Sequence, residues 1–238
     1  MEVRIVSKKP KTKAPIIIEG FPGVGLVGSI ASKYLTQKLD AKQIGHIESP
    51  HLPPLSFIQD GDVYNPIRIY DVPSKGWVII SSEFPVPATL IHDVGEAIVK
   101  WAKEINASRI VCLEGINSPN IAEEPRVFGI DANIKTKLPS GLEPVKTGYI
   151  LGVSAAIMLA CKYKKIKALC LMAESHSNYP DGLAAVALIK KLGSLFKVNV
   201  DVKPLVAEAE EFEKKIKDLI GKAKEVKHES DESRNMYG

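Results

Sequence analysis

Three stretches of this chain bring together residue types that could do chemistry. Glu174-Ser-His-Ser-Asn-Tyr-Pro-Asp181 places a carboxylate, an imidazole and a hydroxyl directly after an apolar run. At the carboxyl end of a parallel strand such a set can support proton transfer. Glu83 and Glu114 close two further strand-like runs and would join Glu174, His176 and Asp181 on one rim. The plainer use is Asp181 as a helix N-cap after a loop shaped by Pro180, and a polar, non-catalytic rim is preferred. Gly20-Phe-Pro-Gly-Val-Gly-Leu-Val-Gly28 follows a strand and opens a helix, and Gly23, Gly25 and Gly28 meet the GxGxxG spacing of a dinucleotide-binding turn. That use needs an acid at the end of the next strand, where Glu48 is the one candidate, with Pro50 close behind. The competing use of Gly20, Gly23, Gly25 and Gly28 is structural, letting the helix approach the sheet. Gly152-Val-Ser-Ala-Ala156 nears the GxSxG nucleophile elbow but lacks its second glycine. The groups after Ser154 run Glu174, His176, Asp181, with the next histidine, His228, in a polar tail. A small residue opening a tightly packed helix accounts for Ser154 better. No histidine or cysteine pair has ligand spacing, so neither metal nor cofactor is expected.

The C-terminus offers chemistry of another kind. Met236-Tyr237-Gly238 ends the chain with an apolar residue, a rigid ring with a polar tip and a carboxylate. Terminal carboxylate capture is a recurrent mode of peptide recognition. The stretch Lys222–Asn235 before it holds Val226 as its one large aliphatic residue and cannot bury enough surface to fold. As a flexible coil, 222–238 would span roughly 20–25 Å.

The elements that must position these groups are legible as alternating patterns. Buried-strand runs occur at Ala14–Glu19, Trp77–Ser82, Arg109–Glu114 and Ala168–Ala173, with further strands at Gln43–Ile47, Val63–Asp71 and Val127–Ile130. Helical patterns cover Leu26–Leu39, Pro87–Ile105, Leu151–Tyr163, Asp181–Phe196 and Pro204–Lys224. The alternation reads as βαβ units, hence an α/β fold: a single domain over 1–221 with a mostly parallel, mixed sheet flanked by helices, a long C-terminal helix at 204–221, and a flexible charged tail at 222–238. In that last helix Leu205, Ala209, Phe212, Ile216, Leu219 and Ala223 form an apolar stripe, expected to dock on its own domain in preference to a neighbour. Punctuated loops fall at Ser49–Pro54, Gly115–Pro125 and Thr136–Pro144, and no internal repeat is present.

Composition narrows the function classes. Of 238 residues 45% are hydrophobic, and the net charge is only +4. Lysine and glutamate intermix, with no dense basic stripe, so nucleic acid is not favoured as a partner. Cys112, Cys161 and Cys170 form no CxxC pair and lie in apolar runs, as buried reduced thiols do. No secretory core is present at the N-terminus, and the longest apolar run, Tyr149–Cys161, is too short to span a bilayer. A soluble, cytoplasmic protein is expected.

Taken as an ordered set, the glycine turn 20–28, Glu83-Phe-Pro85, Glu114-Gly-Ile-Asn117, Glu174-Ser-His176 and the terminal Met236-Tyr237 resemble the proteasome assembly chaperone 2 family, over about 14–196, in the manner of an archaeal member. The resemblance implies a fold similar to nucleoside phosphorylases without established catalysis, homo-oligomerisation, and binding to the α-subunits of the proteasome core particle. It also implies that Met236 meets an apolar rim, Tyr237 stacks and hydrogen-bonds, and Gly238 supplies a carboxylate to a pocket lysine. The long helix and polar tail extend beyond the part of the chain on which this pattern is read. No Walker motif is present, which argues against an ATP-driven unfoldase. The leading expectation is a non-enzymatic, ATP-independent assembly chaperone or activator of the proteasome; the alternative is an enzyme or ligand-binding protein using the glycine turn and the strand-end loops.

Overall fold

The computed structural model describes residues 3–118, 124–133, 137–176, 179–212 and 214. Its frame is a nine-stranded sheet in the order β1-β3-β6-β7-β2-β8-β11-β9-β10. The four central strands, β7 (Trp77–Ser82), β2 (Ile16–Gly20), β8 (Arg109–Asn117) and β11 (Ala168–Ser175), run parallel. They are the near-continuous apolar runs of the sequence because both of their faces are covered. On one side β6 (Ile67–Val72), β3 (Lys42–Glu48) and β1 (Arg4–Ser7) add antiparallel strands, and on the other β9 (Val127–Asp131) pairs antiparallel with β11 and parallel with β10 (Glu143–Pro144).

Two helices cover each face. α1 (Val27–Lys38) and α4 (Gly182–Phe196) pack with Ile18, Val111, Leu113, Leu169 and Leu171 in one core. α2 (Ile91–Glu104) and α3 (Gly152–Lys164) pack with Ile17, Val78, Ile80, Ile110 and Cys170 in the other. The period-two alternation of each strand thus divides its side chains between the two cores. All three cysteines are free and buried, and none of the described helices is long and apolar enough to cross a membrane.

The structure corrects the sequence reading at several points, among them 115–117, read as loop but part of β8, and Glu143–Pro144, read as loop but forming β10. Val63–Asp71 is two strands, β5 (Asp62–Tyr64) and β6, divided at Asn65-Pro66. β5 pairs with β4 (Phe57–Gln59) in a separate hairpin, turned at Asp60-Gly61, where both residues have positive φ, the preferred chemistry of a two-residue hairpin turn. The edge strand β1 and the hairpin strand β4 have no counterpart in the sequence reading. Pro87–Ile105 begins with a 3-10 turn, Ala88–Leu90, before α2.

Residues 203–212 form the start of a fifth helix, α5. Leu205 and Ala209 are buried, Leu205 joins the α1/α4 core, and a Cβ at Gly182 would overlap Ala209. This part of the helix therefore docks on its own domain, while Phe212 is 37% exposed. Tyr34 fixes the approach to α5 by donating to the Asp201 carbonyl at 2.7 Å. The remainder of the expected helix, the 222–238 tail and Met236, Tyr237 and Gly238 lie outside the described residues.

Candidate functional site

The glycine turn lies at the carboxyl ends of β2 and β8 and is packed from every side. A Cβ on Gly20 would strike the Gly28 carbonyl and Ser32, one on Gly28 would strike the Leu113 carbonyl, and one on Gly23 would strike a Glu114 carboxylate oxygen. Gly25, at φ 60°, abuts the Ser175 hydroxyl and the His176 carbonyl, and its own carbonyl accepts from the Asp181 amide at 2.9 Å. Leu26 follows at φ 53°, a left-handed conformation that a branched side chain adopts only under constraint. These glycines admit backbone and side chains of the chain itself, and the space beside the turn is occupied by the β11–α4 loop.

Beneath the turn is a buried acid pair. Glu19 is fully buried at the end of β2, with Oε2 accepting from Ser154 Oγ at 2.8 Å and Oε1 unpaired among the described residues. Glu19 lies opposite Cys112 in the β2–β8 register, so Glu114, two residues further along β8, falls on the same face. Glu114 is 5% exposed. Burial pushes the Glu19 carboxyl up to about 7, against bonds from Cys112, Ser154 and the Phe21 backbone that favour its ionised form. Burial, then the negative charge of Glu19, pushes Glu114 up to about 8. Both carboxyls therefore keep their protons to higher pH than an exposed glutamate does. Ser154, whose spacing resembles a nucleophile elbow, is buried and spent on Glu19. The Glu19–Glu114–Ser154 grouping was not legible beforehand; only the strand register brings it together.

The other rim residues are tied up separately. Glu83 accepts from Arg68 at 2.7 Å and pairs with Lys33 at 3.3 Å. Glu174 accepts from the Arg126 guanidinium at 2.7 and 3.1 Å and from Ser118 at 3.2 Å, and the Arg126 bonds hold its carboxyl below its usual range. Asp181 caps α4 through the Ala184 amide at 2.9 Å and meets His176 Nδ1 at 3.0 Å, and His176 stacks on Tyr179. Glu83 and Glu174 end strands three positions apart in the sheet, roughly 14 Å at ordinary strand spacing. Glu83, Glu114, Glu174, His176 and Asp181 thus share a rim without converging on one reacting centre. On the other side of the sheet a cleft of about 560 Å³ opens between α4, β9 and α5, lined by Leu183, Val186, Ala187 and Val206 with Arg126, Lys190 and Glu210 at its margins. Its mixed lining specifies no single ligand chemistry.

Comparison with known proteins follows this geometry across nearly the whole chain. The model of the PAC2 family matches residues 17–220, so the family pattern extends beyond 196 and takes in the C-terminal helix, contrary to the narrower extent read from the sequence. The chain is 31% identical over 225 residues to the Methanocaldococcus jannaschii protein MJ0106, covering 94% of this chain and 92% of that one. It resembles the crystal structure of Pyrococcus furiosus PbaA, an archaeal homologue of proteasome-assembly chaperone, with TM-score 0.80 and 28% identity, covering 95% of this chain and all of that one. It is likewise similar to Pyrococcus furiosus PbaB, an archaeal proteasome activator, with TM-score 0.79 and 25% identity over 92% of this chain and 98% of that chain.

Proposed function

Since the chain belongs to the PAC2 family, we propose that it is an ATP-independent, cytoplasmic proteasome-binding protein, an assembly chaperone or activator, that docks Met236-Tyr237-Gly238 into pockets between proteasome α-subunits. The observation that carries this reading is the whole-chain likeness to PbaA and PbaB, a chaperone homologue and an activator; Met236-Tyr237-Gly238 would supply the docking group. Tyrosine contributes a large rigid surface at low entropic cost, and the carboxylate suits a lysine or a set of backbone amides. A single three-residue contact is weak. Several tails on one homo-oligomer raise the effective concentration, provided the polar linkers span the pockets.

A non-enzymatic role is supported by Glu83, Glu174 and Asp181 each being held by a separate partner. The assignment is tested by pull-down of proteasome α-rings with Tyr237→Ala and Arg234→Ala. The tyrosine variant is expected to lose binding at least tenfold and the arginine variant to retain it; equal losses would contradict specific docking.

A further inference from the structure

The fold sorts charges that the sequence intermixes. Glu83, Glu114 and Glu174 stand toward the carboxyl ends of the central strands, and lysines stand at the amino ends. Lys75, Lys13 and Lys167 come within three residues of the starts of β7, β2 and β11, and Lys42 opens β3 opposite Asp71 of β6. β6 runs antiparallel to β7, with Val72 opposite Trp77, so Lys42 falls on the same edge of the sheet. All four lysines are exposed.

A strap of lysines is pinned along this edge. The chain leaves β1 with the Lys8 amide donating to the Ile44 carbonyl at 2.8 Å. It then passes the end of β6, where the Lys11 amide and the Thr12 hydroxyl donate to Asp71 at 2.7 and 2.6 Å, and enters β2. Asp71 is 2% exposed with both oxygens engaged, while Lys8, Lys9, Lys11 and Lys13 are exposed. The returning helices end here too, with Lys38, Lys103, Lys162 and Lys164 on the last turns of α1, α2 and α3. Cations there favour the helix dipole, which explains those four lysines but not the strap or Lys167. Against these cations stand exposed Asp40 and Glu104, half-buried Asp131, and Glu96, which pairs with Lys164.

From Lys42 on β3 to Lys167 at β11 the row crosses five strand positions, roughly 24 Å at ordinary strand spacing. That is the length of about seven base pairs of duplex. Lysine is a compact, strongly hydrated charge without the donor fork of arginine, suited to phosphates more than to base edges. Tyr163, 76% exposed, is the exposed ring that falls among these lysines. A membrane-inserting surface carries a whole apolar face, a single-strand groove a series of stacking rings, and a protein interface an apolar centre. We infer that this edge binds the phosphate backbone of a nucleic-acid duplex without regard to sequence, through Lys13, Lys42, Lys75, Lys165 and Lys167. Among the described residues none of these five has an ion-pair partner. The stripe is assembled across strand starts and not along the chain, which is why the sequence alone did not favour nucleic acid. The surface is separate from Met236-Tyr237-Gly238 and does not depend on the proposed function.

Fluorescence anisotropy of the full-length chain with a labelled DNA duplex of mixed sequence tests it, with circular dichroism confirming that each variant is folded. Five phosphate contacts predict a dissociation constant of about 1 µM at about 50 mM salt, a log–log salt slope of about −4.5, and binding about five-hundredfold weaker at about 200 mM. Lys13→Gln with Lys75→Gln and Lys167→Gln is expected to flatten the slope by about 2.7 and to weaken binding at the lower salt by about tenfold or more. A charge-matched triple away from this edge, Lys33→Gln with Lys146→Gln and Lys190→Gln, is expected to bind within about twofold of the parent, because net charge alone is not the determinant. No duplex binding by the parent at the lower salt, an unchanged slope in the edge triple, or equal weakening by both triples would each overturn the proposal. Capture of phosphatidylserine vesicles with no duplex binding would assign the edge to a membrane surface and overturn it as well. A chain ending at Asn235 is expected to bind the duplex as the parent does whatever its α-ring binding, so failure of the tail reading and failure of this surface give different results.

Discussion

Glu19 and Glu114 show how burial sets the state of single residues. In the folded chain both carboxyls are pushed above the ordinary value of 4.5, to about 7 and about 8. Between about pH 4.5 and those values the folded chain holds protons that the unfolded chain has released, so stability falls as pH rises through this window and the full cost is present above it. Glu19→Gln removes one ionisation while keeping shape and an acceptor for Ser154. It is expected to change the melting temperature little at pH 5 and to stabilise by about 3 kcal/mol at pH 8.5. Thermal unfolding at the two pH values checks this; an equal difference at both would mean that Glu19 is not the titrating group. Glu174 runs the other way, because its Arg126 bonds contribute stability that is lost as pH falls through its lowered value.

At the scale of elements, Arg68 makes the largest set of contacts that hold the hairpin, with Lys33 also over the Phe57 ring. Arg68 is 6% exposed, bonds Glu83 at 2.7 Å and Gln59 at 3.5 Å, and lies 4.9 Å from the Phe57 ring and 5.3 Å from Tyr64. An isolated two-stranded hairpin is marginal in water, so this clamp keeps it on the rim. Arg68→Ala is expected to destabilise by about 3 kcal/mol, because it leaves a mostly buried Glu83 short of a partner, and to speed amide exchange across residues 57–64. Arg68→Lys is expected to restore little of this, lacking the planar face and the fork of donors. Urea unfolding with hydrogen exchange reads both; protection of 57–64 unchanged in Arg68→Ala would contradict the clamp. The hairpin was the element least legible in the sequence, since Val63–Asp71 is one continuous strand-like run and Asn65-Pro66 is its only punctuation. The four central strands were legible because burial on both faces leaves a continuous apolar run. α1 to α4 were legible through their periodicity, and α4 also through Asp181, which caps it as its position suggested. β1 was not, because Arg4-Ile-Val-Ser7 is short and half-exposed at an edge. The rim positions of Glu83, Glu114 and Glu174 followed from the strand order, but their partners did not. Arg68 and Arg126 reach them from neighbouring strands or loops, and Glu19 meets Glu114 only through the β2–β8 register.

For the molecule as a whole, the proposed function gives a two-core body and a terminal motif separate parts to play. The rim glycines let α1 and the β11–α4 loop approach the sheet, and among the described residues Glu83, Glu174 and Asp181 each meet a separate partner. Under the proposed function, several tails acting together would bind more tightly than one by orders of magnitude. The most direct measurement is surface plasmon resonance of proteasome α-rings against the full-length chain and a chain ending at Asn235, at moderate salt. The account predicts that the full-length chain binds and the truncated chain does not. Equal binding by both, or by neither, would contradict docking through Met236-Tyr237-Gly238.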